Sequence, residues 1–143
     1  MIIKNTELNK LNLINNKFVL LHGKNDGLKN EKISELISKN KESEILKYDE
    51  KEIIDNKDIF FNNAFNRSLF DKGKLIIINR SSEKILGILE ILLTKNTSDL
   101  ILILNAGILD KKSKLRSFFE KDKTSVSIAF YLDNNETLIK FTQ

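Results

Sequence analysis

The sequence predicts an α/β fold, a parallel five-stranded sheet flanked by helices. Three apolar runs point to it: Phe18-Val19-Leu20-Leu21, Leu75-Ile76-Ile77-Ile78 and Leu100-Ile101-Leu102-Ile103-Leu104. They are continuous rather than alternating, which is the pattern of strands buried on both faces. Stretches of helical periodicity separate them, so strand and helix alternate along the chain as in βαβ units. With 143 residues, of which 41% are hydrophobic, the chain suits one domain with a core of ordinary size.

The first strand is expected at Lys17 to His22, followed by a turn from Gly23 to Gly27. Asp26 is placed to cap the next helix, whose Leu28, Ile33, Leu36 and Ile37 lie near one face. Glu44 to Tyr48 reads as a weaker strand, and the polar Lys51 to Lys57 as a connection or a short helix. Asp58 is a candidate N-cap for a helix through Ile59, Phe60, Phe61, Ala64 and Phe65, with Phe61 and Phe65 assigned to the core by their spacing. Lys74 to Asn79 forms the next strand. Ser81 or Ser82 caps a helix from Glu83 to Thr94, and a fourth strand follows at Asp99 to Leu104. Lys111 to Lys121 reads as an amphipathic helix, Ser125 to Tyr131 as the last strand, and Asp133 as the cap of a final helix with Leu138, Ile139 and Phe141.

Composition narrows the function. Lys and Arg number 24 against 20 Asp and Glu, so the net charge of +4 is mildly basic and is no nucleic-acid signature on its own. The absence of cysteine excludes disulfides and thiolate metal sites, and with a single histidine no metal site is expected. No apolar stretch approaches the roughly 20 residues of a membrane helix. The start, Met1-Ile2-Ile3-Lys4, lacks the basic-then-apolar pattern of a leader, so a reducing, cytoplasmic setting is expected.

A strand, a glycine-bearing turn and a helix suggest a phosphate loop, and the turn fails that test. Such a loop needs glycines that let backbone N–H groups wrap phosphates, a lysine for the terminal phosphates and a Ser or Thr on magnesium. Here it reads Gly23-Lys24-Asn25-Asp26-Gly27-Leu28-Lys29-Asn30. The second glycine comes one place early, Leu28 stands in its stead, and Asn30 occupies the hydroxyl position. The partner motif, an acidic pair after an apolar strand, is also missing, because Asn105-Ala106 follows Leu100 to Leu104. His22 has no neighbouring nucleophile in sequence and reads as a hydrogen-bonded structural residue. No catalytic residue is assigned.

What remains is Arg67-Ser68-Leu69-Phe70-Asp71-Lys72-Gly73-Lys74, where two large apolar side chains sit between polar ones at an element boundary. Large apolar residues are usually buried, so composition alone makes Leu69 and Phe70 core residues that close a helix onto the next strand. A second reading makes them a plug for another protein's pocket.

A resemblance decides between these. Phe18-Val19-Leu20-Leu21-His22-Gly23, Ser68-Leu69-Phe70 before Lys74-Leu75-Ile76-Ile77-Ile78, the strand Leu100 to Leu104, and Leu109-Asp110-Lys111-Lys112-Ser113-Lys114-Leu115 span nearly the whole chain. In order and spacing they resemble the N-terminal domain of the delta subunit of bacterial DNA polymerase III, the clamp-loader subunit that opens the sliding clamp. The resemblance implies an AAA+-like, P-loop NTPase-like fold with a degenerate nucleotide site at Gly23, Lys24, Gly27 and Lys29. It implies residues 1–131 as the clamp-binding domain and 132–143 as the start of a truncated second, lid domain. Leu69 and Phe70, with Ser68 and Arg67, become the clamp-binding residues, although several family members carry an apolar residue where Arg67 stands.

The implied role is non-catalytic and without a cofactor, within the DNA polymerase III holoenzyme, a DNA-directed DNA polymerase and so a nucleotidyltransferase complex. The implied partners are the beta sliding clamp, the gamma/tau and delta prime subunits, and primer-template DNA within the complex, with no membrane. The alternative is a small nucleotide-binding enzyme with a divergent phosphate loop. A third reading, DNA backbone contact by Lys111, Lys112, Lys114 and Arg116, is opposed by Asp110, Glu120 and Asp122, which make a solvated helix face the simpler account.

Overall fold

The five expected strands are present and a sixth joins them. The computed structural model describes residues 2–4, 17–66, 73–94, 100–122 and 124–130. The elements are β1 (Ile2–Lys4), β2 (Phe18–His22), α1 (Asp26–Lys39), β3 (Glu44–Asp49), α2 (Glu50–Asp55), α3 (Lys57–Phe65) and β4 (Lys74–Ser81). A 3-10 turn (Glu83–Ile85) leads into α4 (Leu86–Leu93), followed by β5 (Leu100–Ala106), α5 (Lys114–Lys121) and β6 (Ser125–Ala129). The strands form one parallel sheet in the order β1-β6-β2-β5-β4-β3. The added strand, β1, is three residues long, pairs only with β6 and leaves Ile2 63% exposed. Three residues are too short a run to read as a strand from sequence.

The continuous apolar runs are explained by helices on both faces. Along β2, Phe18 and Leu20 point into one core with Ile76, Ile78, Leu102, Leu104 and the buried sides of α3, α4 and α5. Val19 and Leu21 point into the other, with Leu75, Ile77, Ile103 and the α1 residues Ile33 and Leu36. The period of two along each strand divides its side chains between the two layers, so every position is apolar.

Helix starts differ by a few residues from the sequence reading, because a neighbouring side chain takes the cap. Asn25, not Asp26, caps α1, its Oδ1 accepting Leu28 N at 3.1 Å, while Asp26 lies in the first turn where a carboxylate suits the helix dipole. Most of the Lys51 to Lys57 stretch belongs to α2, which begins one residue earlier at Glu50 and is opened by a reciprocal box in which Glu52 Oε1 accepts Asp49 N at 2.9 Å. Asn56 rather than Asp58 precedes α3. Ser82 takes the cap after β4, while Ser81 Oγ donates back to Ile78 O at 3.0 Å. Ser113 caps α5, which therefore begins at Lys114 and not at Lys111.

The core assignment of Phe65 is corrected. Phe60 and Ala64 are the buried residues of α3, whereas Phe61 is partly buried and Phe65 is 38% exposed. The two rings stack on each other, 5.8 Å apart and 5° from parallel, at the end of the helix. The i, i+4 spacing did place them together, but on the flank of α3 rather than under it. Tyr131, the helix expected after Asp133 and the proposed boundary at 131/132 lie outside the described residues.

Candidate functional site

In open parallel sheets ligands bind beyond the carboxyl ends of the strands, where neighbouring connections leave in opposite directions. Here that place is between β2 and β5: the chain leaves β2 for α1 on one face and β5 for α5 on the other. The turn from Gly23 to Gly27, the end of β5 at Asn105-Ala106-Gly107 and the end of β6 at Phe130 meet there.

Five backbone donors of the turn and of the helix start are engaged within the chain. Gly23 N donates to Gly107 O at 2.9 Å, Asn25 N to Phe130 O at 3.0 Å and Asp26 N to Lys24 O at 3.0 Å. Leu28 N and Lys29 N donate to Asn25, to its Oδ1 and its carbonyl respectively. A phosphate would need several of these N–H groups converging on one point. Gly23 is required for a different reason: its φ is +118°, and a Cβ there would lie 2.0 Å from Phe130 O. The glycine lets the turn lie against the β6 backbone.

Lys29 is also turned inward. Its side chain is buried, and Nζ donates to Ala106 O at 2.7 Å while pairing with Asp26 at 3.0 Å. Lys24 and Gly27 are exposed. Of the four residues expected at the degenerate loop, Gly23 and Lys29 thus form a staple between α1, β5 and β6. The strand ends beside it carry amides: Asn105 Nδ2 donates to Asn79 Oδ1 at 3.0 Å, joining β5 to β4. Neither side chain can hold magnesium as a carboxylate would or activate water. Among the described residues no cluster of three His, Asp or Glu is placed to hold a metal.

His22, at the end of β2, is buried, and its imidazole is lowered from 6.5 to about 4. Burial is the largest cause, followed by the positive Arg116; Glu120 partly opposes them and Lys29 adds to them. Burial and the neighbouring cations keep the imidazole neutral near pH 7.

The Leu109 to Leu115 segment earns its residues by building the entry to α5. Asp110 Oδ1 accepts Lys112 N at 2.9 Å, Ser113 Oγ accepts Arg116 N at 3.2 Å, and Leu115 is buried in the core. Glu83 reaches across to accept Lys114 N at 2.7 Å. Arg116 does not join a basic surface: it donates to Leu109 O at 3.1 Å and to Glu120 at 2.8 Å. Lys111, Lys112 and Lys114 are exposed with Glu83 and Asp110 among them, a mixed-charge face.

Arg67, Ser68, Leu69 and Phe70 lie outside the described residues, and the structure describes what flanks them. On one side are Phe65 and Asn66 at the end of α3; on the other, Gly73 and Lys74 enter β4. Glu44 N donates to Gly73 O at 2.8 Å, fixing the entry to β4 against β3. Lys74 is buried and donates to Asn63 O and Asn66 O. The inward turns of Lys29 and Lys74 were missed in the sequence. Their only signal is position, one within an expected helix and the other at the mouth of an apolar strand.

No helix among the described residues is long and apolar enough to cross a membrane. No family model matches the chain, and no curated protein matches it. Among solved structures it is similar to the Bacillus subtilis DNA clamp loader delta protein (YqeN), with a TM-score of 0.65 and 19% sequence identity. The match covers 88% of this chain and 41% of that one, so the chain spans about two-fifths of its neighbour's length. The likeness is one of fold, an α/β parallel sheet flanked by helices in the manner of that clamp-loader protein.

Proposed function

We propose that this chain is the clamp-contacting domain of a clamp-loader delta subunit, a non-catalytic module that binds and opens a sliding clamp during DNA replication. The observation that carries the reading is the fold it has in common with a DNA clamp loader delta protein. The engaged donors of the Gly23 turn and the amides at Asn79 and Asn105 favour binding over nucleotide hydrolysis. In this reading Leu69 and Phe70 enter a hydrophobic pocket of the clamp, with Ser68 and Arg67 beside them. Two large side chains buried on binding contribute roughly 1.5–3 kcal/mol each, and such anchors dominate interface energetics. That energy opens the ring only insofar as the module binds the sprung clamp better than the closed one. The other loader subunits bind and hydrolyse ATP, and primer-template DNA is met within the complex.

Gel filtration of the purified chain with the sliding clamp of the same organism tests the proposal. Co-elution as a complex is expected, and separate elution at concentrations of tens of micromolar rules it out. Calorimetric titration with ATP and magnesium separates it from the enzyme alternative, which requires tight binding or turnover.

A further inference from the structure

We propose that the connection from β5 to α5, residues 107–113, is a docking surface for an acidic protein segment. An apolar side chain of the partner packs on Ile108 while its carboxylates meet Lys84 and Lys112. The inference goes beyond the proposed clamp contact and does not depend on it.

Ile108 is 65% exposed, the most exposed large apolar side chain among the described residues. A lone exposed apolar residue is ordinary on a protein surface. This one is set apart by how firmly its backbone is held. Before it, Ala106 O accepts Lys29 Nζ at 2.7 Å and Gly107 O accepts Gly23 N at 2.9 Å. After it, Leu109 O accepts Arg116 Nη1 at 3.1 Å and Asp110 O accepts Ser113 N at 3.1 Å. Both sides are thus fixed, to the Gly23 turn and α1 on one and to α5 on the other. A β-branched side chain adds little rotamer freedom of its own. Little conformational entropy is then left to lose when a partner covers Ile108.

Beside Ile108 opens a cleft of about 560 Å³, which it lines together with Leu109, Lys84 and Lys112. The cleft lies past the carboxyl ends of β4 and β5, the edge at which open parallel sheets bind their ligands. Its charges are not equally available. Glu83 and Asp110 accept the backbone N–H groups of Lys114 at 2.7 Å and Lys112 at 2.9 Å. Among the described residues neither the Lys84 nor the Lys112 ammonium forms an ion pair, and both side chains are exposed. An isoleucine and two cations are therefore what the cleft offers to a partner. Apolar contact supplies the affinity, while the lysines select a carboxylate-bearing partner and speed its encounter. A nucleic-acid backbone would satisfy the lysines and leave Ile108 in water, so the combination fits a protein segment.

The test pans a random peptide library on phage against the whole immobilised chain. The phage first pass over the Ile108→Ser chain, which removes binders of every other surface. The survivors are expected to carry carboxylates flanking an apolar residue. Made as labelled synthetic peptides and followed by fluorescence anisotropy, they should bind Ile108→Ser about tenfold or more weakly than wild type. Lys84→Ala combined with Lys112→Ala should weaken them several-fold and flatten the salt dependence. Circular dichroism checks that the variants fold, as expected for substitutions at exposed side chains; Ile108→Ala replaces Ile108→Ser if the latter does not. An empty selection, or survivors that lack carboxylates or bind the double lysine variant as tightly as wild type, overturns the proposal. So does an empty selection joined to binding of a short DNA duplex that the lysine variant loses, which would make this a phosphate-contacting face.

Discussion

Replacing Gly23 with alanine should destabilise the domain by about 3–5 kcal/mol, more than most single substitutions. Gly23 has φ +118°, a region that costs a residue with a Cβ about 1–2 kcal/mol. The new methyl would sit 2.0 Å from Phe130 O and 2.6 Å from Phe130 C, a backbone carbonyl rather than a flexible side chain. Relieving that overlap requires a shift of more than an ångström between the turn and the end of β6. The same carbonyl accepts Asn25 N, while Gly23 N donates to Gly107 O and Phe130 N to His22 O. Losing one of these bonds and leaving its partner buried costs a further ~1–3 kcal/mol. Urea titration followed by far-ultraviolet circular dichroism, with an unchanged slope, gives the difference directly. A loss below about 1 kcal/mol would mean that the turn does not lie against β6, and the account of the spent phosphate loop would fail with it.

Lys29→Met should cost about 1–3 kcal/mol by leaving Ala106 O without its donor, whereas Asp26→Asn should cost less than about 1 kcal/mol because that carboxylate is 83% exposed. Guanidinium melts of the two variants check the contrast, and calorimetry should find no ATP binding gained by either. His22 adds a pH dependence. The folded chain protonates it only near pH 4, against 6.5 for an ordinary histidine, so the unfolded state binds more protons in between. Stability should therefore fall as pH drops from 6.5 toward 4, by on the order of 2 kcal/mol from this group. Urea midpoints across that range should decline less in His22→Gln; parallel curves would refute the assignment.

The layers of the fold were legible because both faces of β2, β4 and β5 are covered, which makes their central positions apolar and leaves continuous runs such as Leu75 to Ile78 and Leu100 to Leu104. The departures of the Gly23 turn from a phosphate loop are matters of side-chain type, at Leu28, Asn30 and Asn105, and so are read without knowing the fold. Less was legible where the decisive partner lies far along the chain. Lys29 finds Ala106 O, and nothing near Lys29 in sequence predicts a carbonyl 77 positions away. The cap of α1 falls at Asn25 instead of Asp26 because Asn and Asp are both good caps and local geometry chooses between adjacent candidates, while α3 begins after Asn56 with no side-chain cap that sequence could mark. Phe65 was placed in the core by periodicity alone, but α3 ends at that residue, and its ring has Phe61 beneath it rather than the sheet. Lys74 was read as a strand residue because a buried cation facing helix carbonyls has no signature in a run of isoleucines.

Surface plasmon resonance of the chain over immobilised sliding clamp, comparing wild type with Leu69→Ala and Phe70→Ala combined, tests the central claim most directly. The account predicts binding by the wild type and a loss of about a hundredfold or more in the double variant, the equivalent of at least ~3 kcal/mol, with circular dichroism unchanged. Equal affinity in the two folded proteins would contradict it.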